Sequence, residues 1–403
     1  MSDLAIRTGT ADDWPAISRL LSSVFHDTSE PDDDADWRAV FEPDRSLVIE
    51  TGDEIVAHAA AYTRKLTVPG GTLPAAHVTM VGVAPTHRRQ GLLRQLMHRQ
   101  LAEVPEPLAV LWASEGRIYP RFGYGLATHR MSLKIENREV RLPEPDRPGR
   151  VRILPPAAAR PVLAELYESV RADRPGWSGR PGGWWGTVLS DPPRTRRGAT
   201  ELRAAVHDGP GGVDGYALWR TKGDWSPAGP EGEVLVQEVA AATPDAYLAL
   251  WRFLLSVDLT RWTKLWRGAA DEPLLHLVDE PRRLGAVWGD GLFVRVVDLP
   301  AALAARQYSA PLDLVLDVAD PLRPGNAGRW RLAADRQKAT CTRTDEPADL
   351  ACDIGDLAAA YLGGTSLGAL AAAGRVREHR PGALACASAA FGWHRTPSAI
   401  EVF

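Results

Sequence analysis

Lysine and cysteine are both scarce in this chain. Of 47 basic residues in 403, only five are Lys. Together with abundant Ala, that Arg bias reads as GC-rich coding rather than as a binding surface. The net charge is only −4, which leaves no global basic field to hold nucleic acid or an anionic membrane. The three cysteines, Cys341, Cys352 and Cys386, have neither the number nor the spacing of a disulfide framework or a zinc site. The ten histidines show no metal-binding pattern, so no metal is expected. No window approaches about 20 uninterrupted apolar residues, which excludes a transmembrane helix. The opening stretch MSDLAIRTGTADDW has no basic region followed by an apolar run, so no secretory leader is expected and the setting reads as reducing and cytoplasmic. What the chain has is 45% apolar and 24% charged residues, the balance of a globular protein. Its length suits two or three domains at about 150 residues each.

The first segment, residues 1–145, alternates strands and helices. Leu4–Arg7 reads as a strand. Thr10 to Asp13 has the form of a capping box, and Trp14, Ile17, Leu20, Leu21 and Phe25 follow at helical spacing. A hairpin is expected over Ser46–Thr51 and Ile55–Val68 around Gly52-Asp53. Strands are expected at His77–Val83, Leu108–Trp112 and Met131–Ile135, with a helix over Arg89–Glu103. The proline-dense stretch from Arg141 to Gly149 is a linker. The second segment, 150–292, repeats this grammar. EVLVQEVAAATPDAYLAL laid over AHVTMVGVAPTHRRQGLL shows the same passage from strand to helix without the arginines and the glycine. It is therefore expected to be a structural duplicate with no phosphate cradle. The third segment, 293–403, opens with a strand and helix over Leu292–Ala305. It continues as a meander (Leu312–Val318, Arg329–Ala334, Ala339–Thr342), then becomes helical and Ala-rich. It ends on Ile400-Glu-Val-Phe403, an apolar terminus expected to pack.

The stretch from Val81 through Gly82, Val83, Arg88, Arg89, Gln90, Gly91, Leu92, Leu93 and Arg94 carries the clearest chemistry. A strand ends, a proline turns the chain, and arginines with a glycine open an amphipathic helix. The first turn of a helix has unsatisfied N–H groups and roughly half a positive charge, and so binds phosphates. Gly91 permits close backbone approach, and Arg88 and Arg89 add charge-assisted bonds. A second stretch, from Ala113 through Ser114 and Tyr119 to Tyr124 and Gly125, places a phenol between glycines just past a strand. A phenol of pKa ~10 can protonate a departing thiolate. A third, Asp27 to Asp44, holds Asp27, Glu30, Asp32, Asp33, Asp34, Asp36, Glu42 and Asp44 against Arg38. Such a run is a solvated face or a lure for a polycation. Gly364-Thr-Ser366-Leu-Gly368 fits the pattern of a hydrolase nucleophile, but a helical segment precedes it where a strand is required. The fourteen tryptophans, nine of them between Trp177 and Trp288, are read as packing residues.

The Arg88-x-x-Gly91 stretch resembles the pyrophosphate-binding motif of the GNAT N-acetyltransferases, with Leu93 where that motif ends in a small residue. With the Tyr124 region, the length and the three-part layout, the whole chain resembles the Eis acetyltransferases. The resemblance implies an α/β fold of tandem GNAT domains, the second degenerate, followed by an α+β domain similar to sterol carrier proteins. It implies acetyl-CoA as co-substrate, held by residues 81–83 and 88–94 with Ser114 and Tyr119, and the acetyl group beside Val81 and Val83. It implies a homohexamer that acetylates amines of aminoglycosides and other cationic small molecules. Tyr124 maps onto the family's general acid, and the terminal carboxylate of Phe403 onto its general base. Asp27 falls where an amine-binding aspartate stands, with Trp37 and Phe25 beside it. Glu401 is a candidate partner for substrate amines, and Val402 occupies a place that is acidic in the family. The competing readings are a protein lysine or N-terminal acetyltransferase, and a binding protein whose third segment holds an apolar ligand while the GNAT half senses acetyl-CoA.

Overall fold

The structure, a computed structural model, describes residues 5–27, 34–146, 149–335 and 337–403. Its first part contains β1 (Ile6–Thr8), α1 (Trp14–Phe25), α2 (Ala35–Val40), β2 (Ser46–Thr51), β3 (Glu54–Val68), β4 (Gly71–Val83), α3 (Leu92–Glu103), β5 (Leu108–Trp112), β6 (Gly125–Leu126) and β7 (His129–Glu136). The capping box is formed, the Thr10 amide donating to Asp13 Oδ2 at 2.7 Å. Behind it Trp14, Ile17 and Leu20 are buried, as their helical spacing requires. Residue Leu4 of the expected first strand lies outside the described residues.

The second part holds β8 (Arg150–Leu154), α4 (Pro156–Arg171), α5 (Trp184–Leu189), β9 (Arg203–Gly209), β10 (Gly212–Lys222), the small hairpin β11 (Trp225–Ser226) and β12 (Gly229–Pro230), β13 (Gly232–Ala241), α6 (Pro244–Leu255), β14 (Thr260–Gly268), α7 (Leu274–Leu277), β15 (Val287–Asp290) and β16 (Leu292–Val296). The third holds α8 (Leu299–Ala305), β17 (Leu312–Ala319), β18 (Gly328–Ala334), β19 (Ala339–Arg343), β20 (Leu350–Asp353), α9 (Ile354–Ala360), α10 (Leu367–Ala372), β21 (Val376–Glu378) and α11 (Ala383–Phe391).

Sheets and sequence segments do not coincide. The first sheet runs β1-β2-β3-β4-β5-β16-β6 and the second β15-β7-β14-β13-β10-β9-β8. The strand expected to close the first segment, around Met131–Ile135, therefore belongs to the second sheet. Leu292–Val296, expected to open the third segment, belongs to the first sheet, antiparallel to β5 and β6. Alternation buries Met131, Leu133 and Ile135 on one face, but a period of two does not say which sheet that face joins. Here they pack with Val236, Leu254 and Leu265 of the second core.

The second domain repeats the passage from strand to helix at β13 and α6. Thr243 caps α6 with its own side chain, accepting from the Ala246 amide at 3.1 Å, and the Ala242 amide donates to the Asp214 carbonyl. Ser366 of the Gly364–Gly368 pattern is likewise a helix cap, accepting from the Gly368 amide at 3.1 Å. Seven tryptophans, Trp14, Trp177, Trp184, Trp185, Trp219, Trp251 and Trp330, are buried packing residues. Among the described residues no helix is long and apolar enough to cross a membrane.

The third domain forms a five-stranded sheet, β19-β18-β17-β20-β21. Its apolar side chains form one continuous core with Leu66, Leu108, Val110 and Val294 of the first sheet. Helix α9 sits directly on β6: a Cβ at Gly125 would lie 2.0 Å from the Gly355 carbonyl oxygen and 2.4 Å from the Ala359 nitrogen. Both obstacles are backbone, so neither can swing away. Gly125→Ala should destabilise the protein by at least about 1–3 kcal/mol, read as a lower denaturant midpoint. Parental stability would show that α9 does not seat on this strand.

Candidate functional site

Strands β4 and β5 are parallel and pair only from Ala75↔Leu108 to His77↔Val110. Beyond that they part. A bulge fixes the opening on the β4 side. The register against β3 jumps from Ala60↔Thr79 to His58↔Gly82, and Met80 between them takes a left-handed φ of 50°. His58 holds the bulge. It is buried, its Nδ1 lies 2.7 Å from the Met80 carbonyl oxygen, and its Nε2 lies 2.8 Å from Ser46 Oγ. Burial lowers its pKa to about 4, so the ring is neutral. A carbonyl only accepts, so Nδ1 carries the proton and Nε2 accepts from Ser46.

The wedge between the parted strands is a cleft of about 540 Å³. Val81, Gly82 and Val83 form one wall, and Ser114, Glu115, Ile118 and Tyr119 the other. Its far end is closed by Arg88, Arg89, Gly91, Leu92, Leu93 and Arg94. The helix expected from Arg89 begins at Leu92, because Arg89 and Gly91 both have left-handed φ, 63° and 86°. After that kink the first turn of α3, whose leading amides have no partner within the helix, lines the cleft with the arginines beside it. At Gly91 the requirement is the dihedral itself, since an added Cβ would meet only Arg94 Nη2, at 3.7 Å. Gln90 is a correction. It is exposed, 3.5 Å from the Thr86 carbonyl through Nε2, and outside the cleft lining, because the turn at Arg89 directs it away. Glu115 and Arg121 join the lining unexpectedly.

A second cavity of about 520 Å³ meets the cleft at Phe25, Val81, Ser114 and Tyr119. Its walls are aromatic: Trp14, Phe25, Trp37, Tyr62, Trp112, Tyr119, Trp266 and Phe403, with Asp27 and Asp34 as acidic groups. Of the acidic run, Glu30, Asp32 and Asp33 lie outside the described residues, and Glu42 is engaged by the Thr63 amide at 2.7 Å. The second domain, expected to be structural only, contributes two residues. Trp266 of β14 stacks on Trp112 with centroids 6.1 Å apart, and Arg194 lies 3.6 Å from Asp27 and 3.9 Å from Asp34. Nothing in the sequence pairs Trp266 with Trp112. Tyr62 Oη and Trp112 Nε1 are buried without a hydrogen-bond partner among the described residues.

Tyr124 stands one layer back. It is buried, lines neither cavity, and meets Tyr119 edge-on with ring centroids 5.9 Å apart. Its hydroxyl has no partner among the described residues. Burial drives this phenol's pKa up, opposed by the Arg295 charge, so it stays protonated at neutral pH. Tyr119 lines both spaces, and burial with the Glu115 charge pushes its pKa up to about 12.

The chain terminus packs, but as an extended tail without ladder partners. The Ser398 amide donates to Pro175 and Arg267 donates to the Ile400 carbonyl at 2.8 Å. The Phe403 ring meets His77 edge-on at 4.7 Å and lines the aromatic cavity. Glu401 is a second correction: it is not a cavity residue. It is buried between Arg64 and Arg180, with Arg180 Nε donating to Oε2 at 2.8 Å. Burial opposes its ionisation, but the two guanidinium charges prevail and hold its pKa at about 2. Alternating outward and inward residues make Glu401 and Phe403 look equivalent in sequence. The two arginines, 116 residues apart, take Glu401 out of that equivalence. Among the described residues, no cluster of His, Cys, Asp and Glu is placed to hold a metal ion.

Comparison with known proteins agrees with this geometry. Residues 5–127 and 176–296 each match an acetyltransferase (GNAT) domain family, and residues 299–399 match a sterol carrier protein domain family. The fold and the site define an N-acetyltransferase built from two GNAT domains and a sterol-carrier-like domain. An N-acetyltransferase of Streptomyces avermitilis is 45% identical over 395 residues, 96% of each chain. The N-acetyltransferase Eis of Mycobacterium bovis is 36% identical, covering 91% of this chain and 92% of its own. The crystal structure of Eis1 from Mycobacterium abscessus superposes with a TM-score of 0.83 at 31% identity, over 99% of this chain and 100% of its own. The chain belongs to the Eis family of N-acetyltransferases.

The Glu401 carboxylate, depressed from 4.5 to about 2, contributes stability that is complete above pH 4.5 and lost as the pH falls toward 2. At about 1.4 kcal/mol per unit the contribution is about 3 kcal/mol. Glu401→Gln should therefore lower stability by that order at pH 7, and the gap should narrow between pH 4.5 and pH 2. Urea midpoints across that range test it; a gap independent of pH would contradict it.

Proposed function

We propose that the protein transfers acetyl from acetyl-CoA directly to primary amines of a cationic, oxygen-rich small molecule of the aminoglycoside type, at more than one position. The observation that carries this is the junction of the two spaces: a cleft ending in helix amides and arginines opens, at Val81, Ser114 and Tyr119, into an aromatic and acidic cavity. The cradle around Gly91 suits a pyrophosphate, which supplies the anchor for an activated acetyl group. The aromatic faces and Asp27 suit ammonium groups. The two orphaned donors, Tyr62 Oη and Trp112 Nε1, favour an acceptor that also brings hydroxyl or ether oxygens. A simple polyamine leaves them unsatisfied.

In this reading the β4 backbone beside the bulge orients the acetyl group toward the cavity. Asp27 and the aromatic walls position the amine, and the Phe403 carboxylate takes its proton. The Tyr124 hydroxyl gives a proton to the departing sulfur, so that charge is neutralised at both ends of the transfer. A specific observation favours Tyr119 as an alternative donor, since it faces both spaces and Tyr124 does not.

Three measurements test these roles. Thiol release by the untagged protein should exceed one equivalent per aminoglycoside molecule and be much slower with spermidine or a lysine peptide. Equal rates across such a panel would remove the case for an oxygen-rich acceptor. Tyr124→Phe should slow turnover by roughly 10²–10⁴-fold, the scale of general acid catalysis, while Tyr119→Phe should cost far less; the reverse order would transfer the role to Tyr119. Two glycines added after Phe403 displace its carboxylate and should slow turnover on the same scale, whereas parental turnover would refute the carboxylate base.

A further inference from the structure

A carboxylate at the end of a chain is a poor place for a catalytic base, because terminal residues fray unless something ties them down. The polar ties in this tail stop at Glu401, and beyond it the Phe403 ring packs against His77 at 4.7 Å. Val402 is 42% exposed, and the last side chain with anchoring polar contacts is Glu401, two residues and at most about 7 Å of chain from the terminal carboxylate. Glu401 belongs to a buried chain of charges. Arg64 of β3 and Arg180 of the second domain both hold it, Arg180 also forks onto Glu238 of β13 at 2.7 and 3.0 Å, and Tyr216 of β10 donates to Glu238 at 2.7 Å. The side chains of Arg64 and Arg180 are wholly buried.

Each arginine is fixed by more than its carboxylates. Arg180 lies over the Tyr167 ring at 3.8 Å and near the Trp185 ring at 4.8 Å. Arg64 lies over the Trp184 ring at 3.9 Å and donates through Nε to the Gly179 carbonyl at 2.8 Å. The same Arg64 guanidinium is 5.9 Å from the Phe403 ring, and its Nη1 is buried with no partner among the described residues. Two positive and two negative charges are therefore buried where an apolar cluster of the same volume would be as stable or more so. What an apolar cluster cannot supply is a fixed direction, which paired guanidinium forks do.

We infer that Glu401 is a positioning residue for the terminal carboxylate: the Arg64–Glu401–Arg180–Glu238 chain fixes the tail so that Phe403 ends in the acceptor cavity. All three domains meet in it, since the first supplies Arg64, the second Arg180 and Glu238, and the third the tail. The inference rests on the reading of Phe403 as the base. Glu401 touches neither substrate nor the reacting atoms; it acts through the residue two places on.

The test is a cycle of four proteins: parent, Glu401→Gln, the parent with two glycines after Phe403, and both changes together. Turnover is measured at saturating aminoglycoside and acetyl-CoA. Glu401→Gln alone should slow kcat by roughly 10²-fold, the cost of an ångström-scale misplacement, with KM for acetyl-CoA unchanged. In the extended chain it should cost nothing further. Carboxypeptidase should release Phe403 from Glu401→Gln many times faster than from the parent, and Glu401→Asp should restore most of the resistance and of kcat. Arg180→Lys keeps the charge without the fork and gives the same comparison in a milder form. Losses that multiply in the double variant, or a tail no easier to digest in Glu401→Gln, would overturn the inference while leaving the base in place. An extended chain with parental turnover would instead overturn the base itself, and this inference with it.

Discussion

The site depends on one constraint in a parallel strand pair. β4 and β5 share three residue pairs and then separate, because the bulge at Met80 and Val81 bends β4 away and neutral His58 pins the bulge carbonyl. A regular ladder would continue through Thr79 opposite Trp112 and pair the backbone groups that here stand apart. Interrupting it leaves the edges of both strands facing a cleft, with the kinked turn before α3 at one end and the aromatic cavity at the other. The left-handed residues Met80, Arg89 and Gly91 mark the places where the backbone is bent for this purpose. All three lie in or beside the opening.

Around that opening the three domains are not independent modules on a string. β7 and β16 exchange between the two GNAT sheets, so neither sheet is complete without the other's stretch of chain. The second domain lends Trp266 and Arg194 to the aromatic cavity. The third domain packs α9 onto Gly125, next to Tyr124, and its Asp320 pairs with buried Arg295 of β16 behind Gly123. Its tail then returns to the first domain to place Phe403. The apolar side chains of the third domain form a core shared with the first sheet.

Much of this was legible from spacing. The capping box before α1, the strand running into Gly91, and the tyrosine between two glycines each rest on chemistry confined to a dozen residues. The second copy lacks the arginines and the glycine of the first, and there Thr243 caps α6 with its own side chain. The resemblance to the Eis family supplied what spacing did not: the identity of the three domains and the proposal for the chain terminus. Errors of reading fell where a residue's environment is set by distant chain. Gln90 sits inside the motif but points out of the cleft, because the turn at Arg89 reverses it. Glu401 looked like a ligand for amines, but arginines from two other domains claim both of its oxygens.

By itself, then, the sequence determined most of the elements and the short motifs, because these follow from local periodicity, capping and backbone dihedral preference, while the order of the three domains followed from the family resemblance. Tertiary structure alone decided which sheet receives β7 and β16, which of the many aromatic residues wall the second cavity, and that Glu401 pairs with Arg64 and Arg180. An alternating strand carries no label for its partner, and a charged side chain carries none for the counter-charge that will bury it. Those choices are settled only when segments more than a hundred residues apart pack against each other and each buried charge must find its opposite.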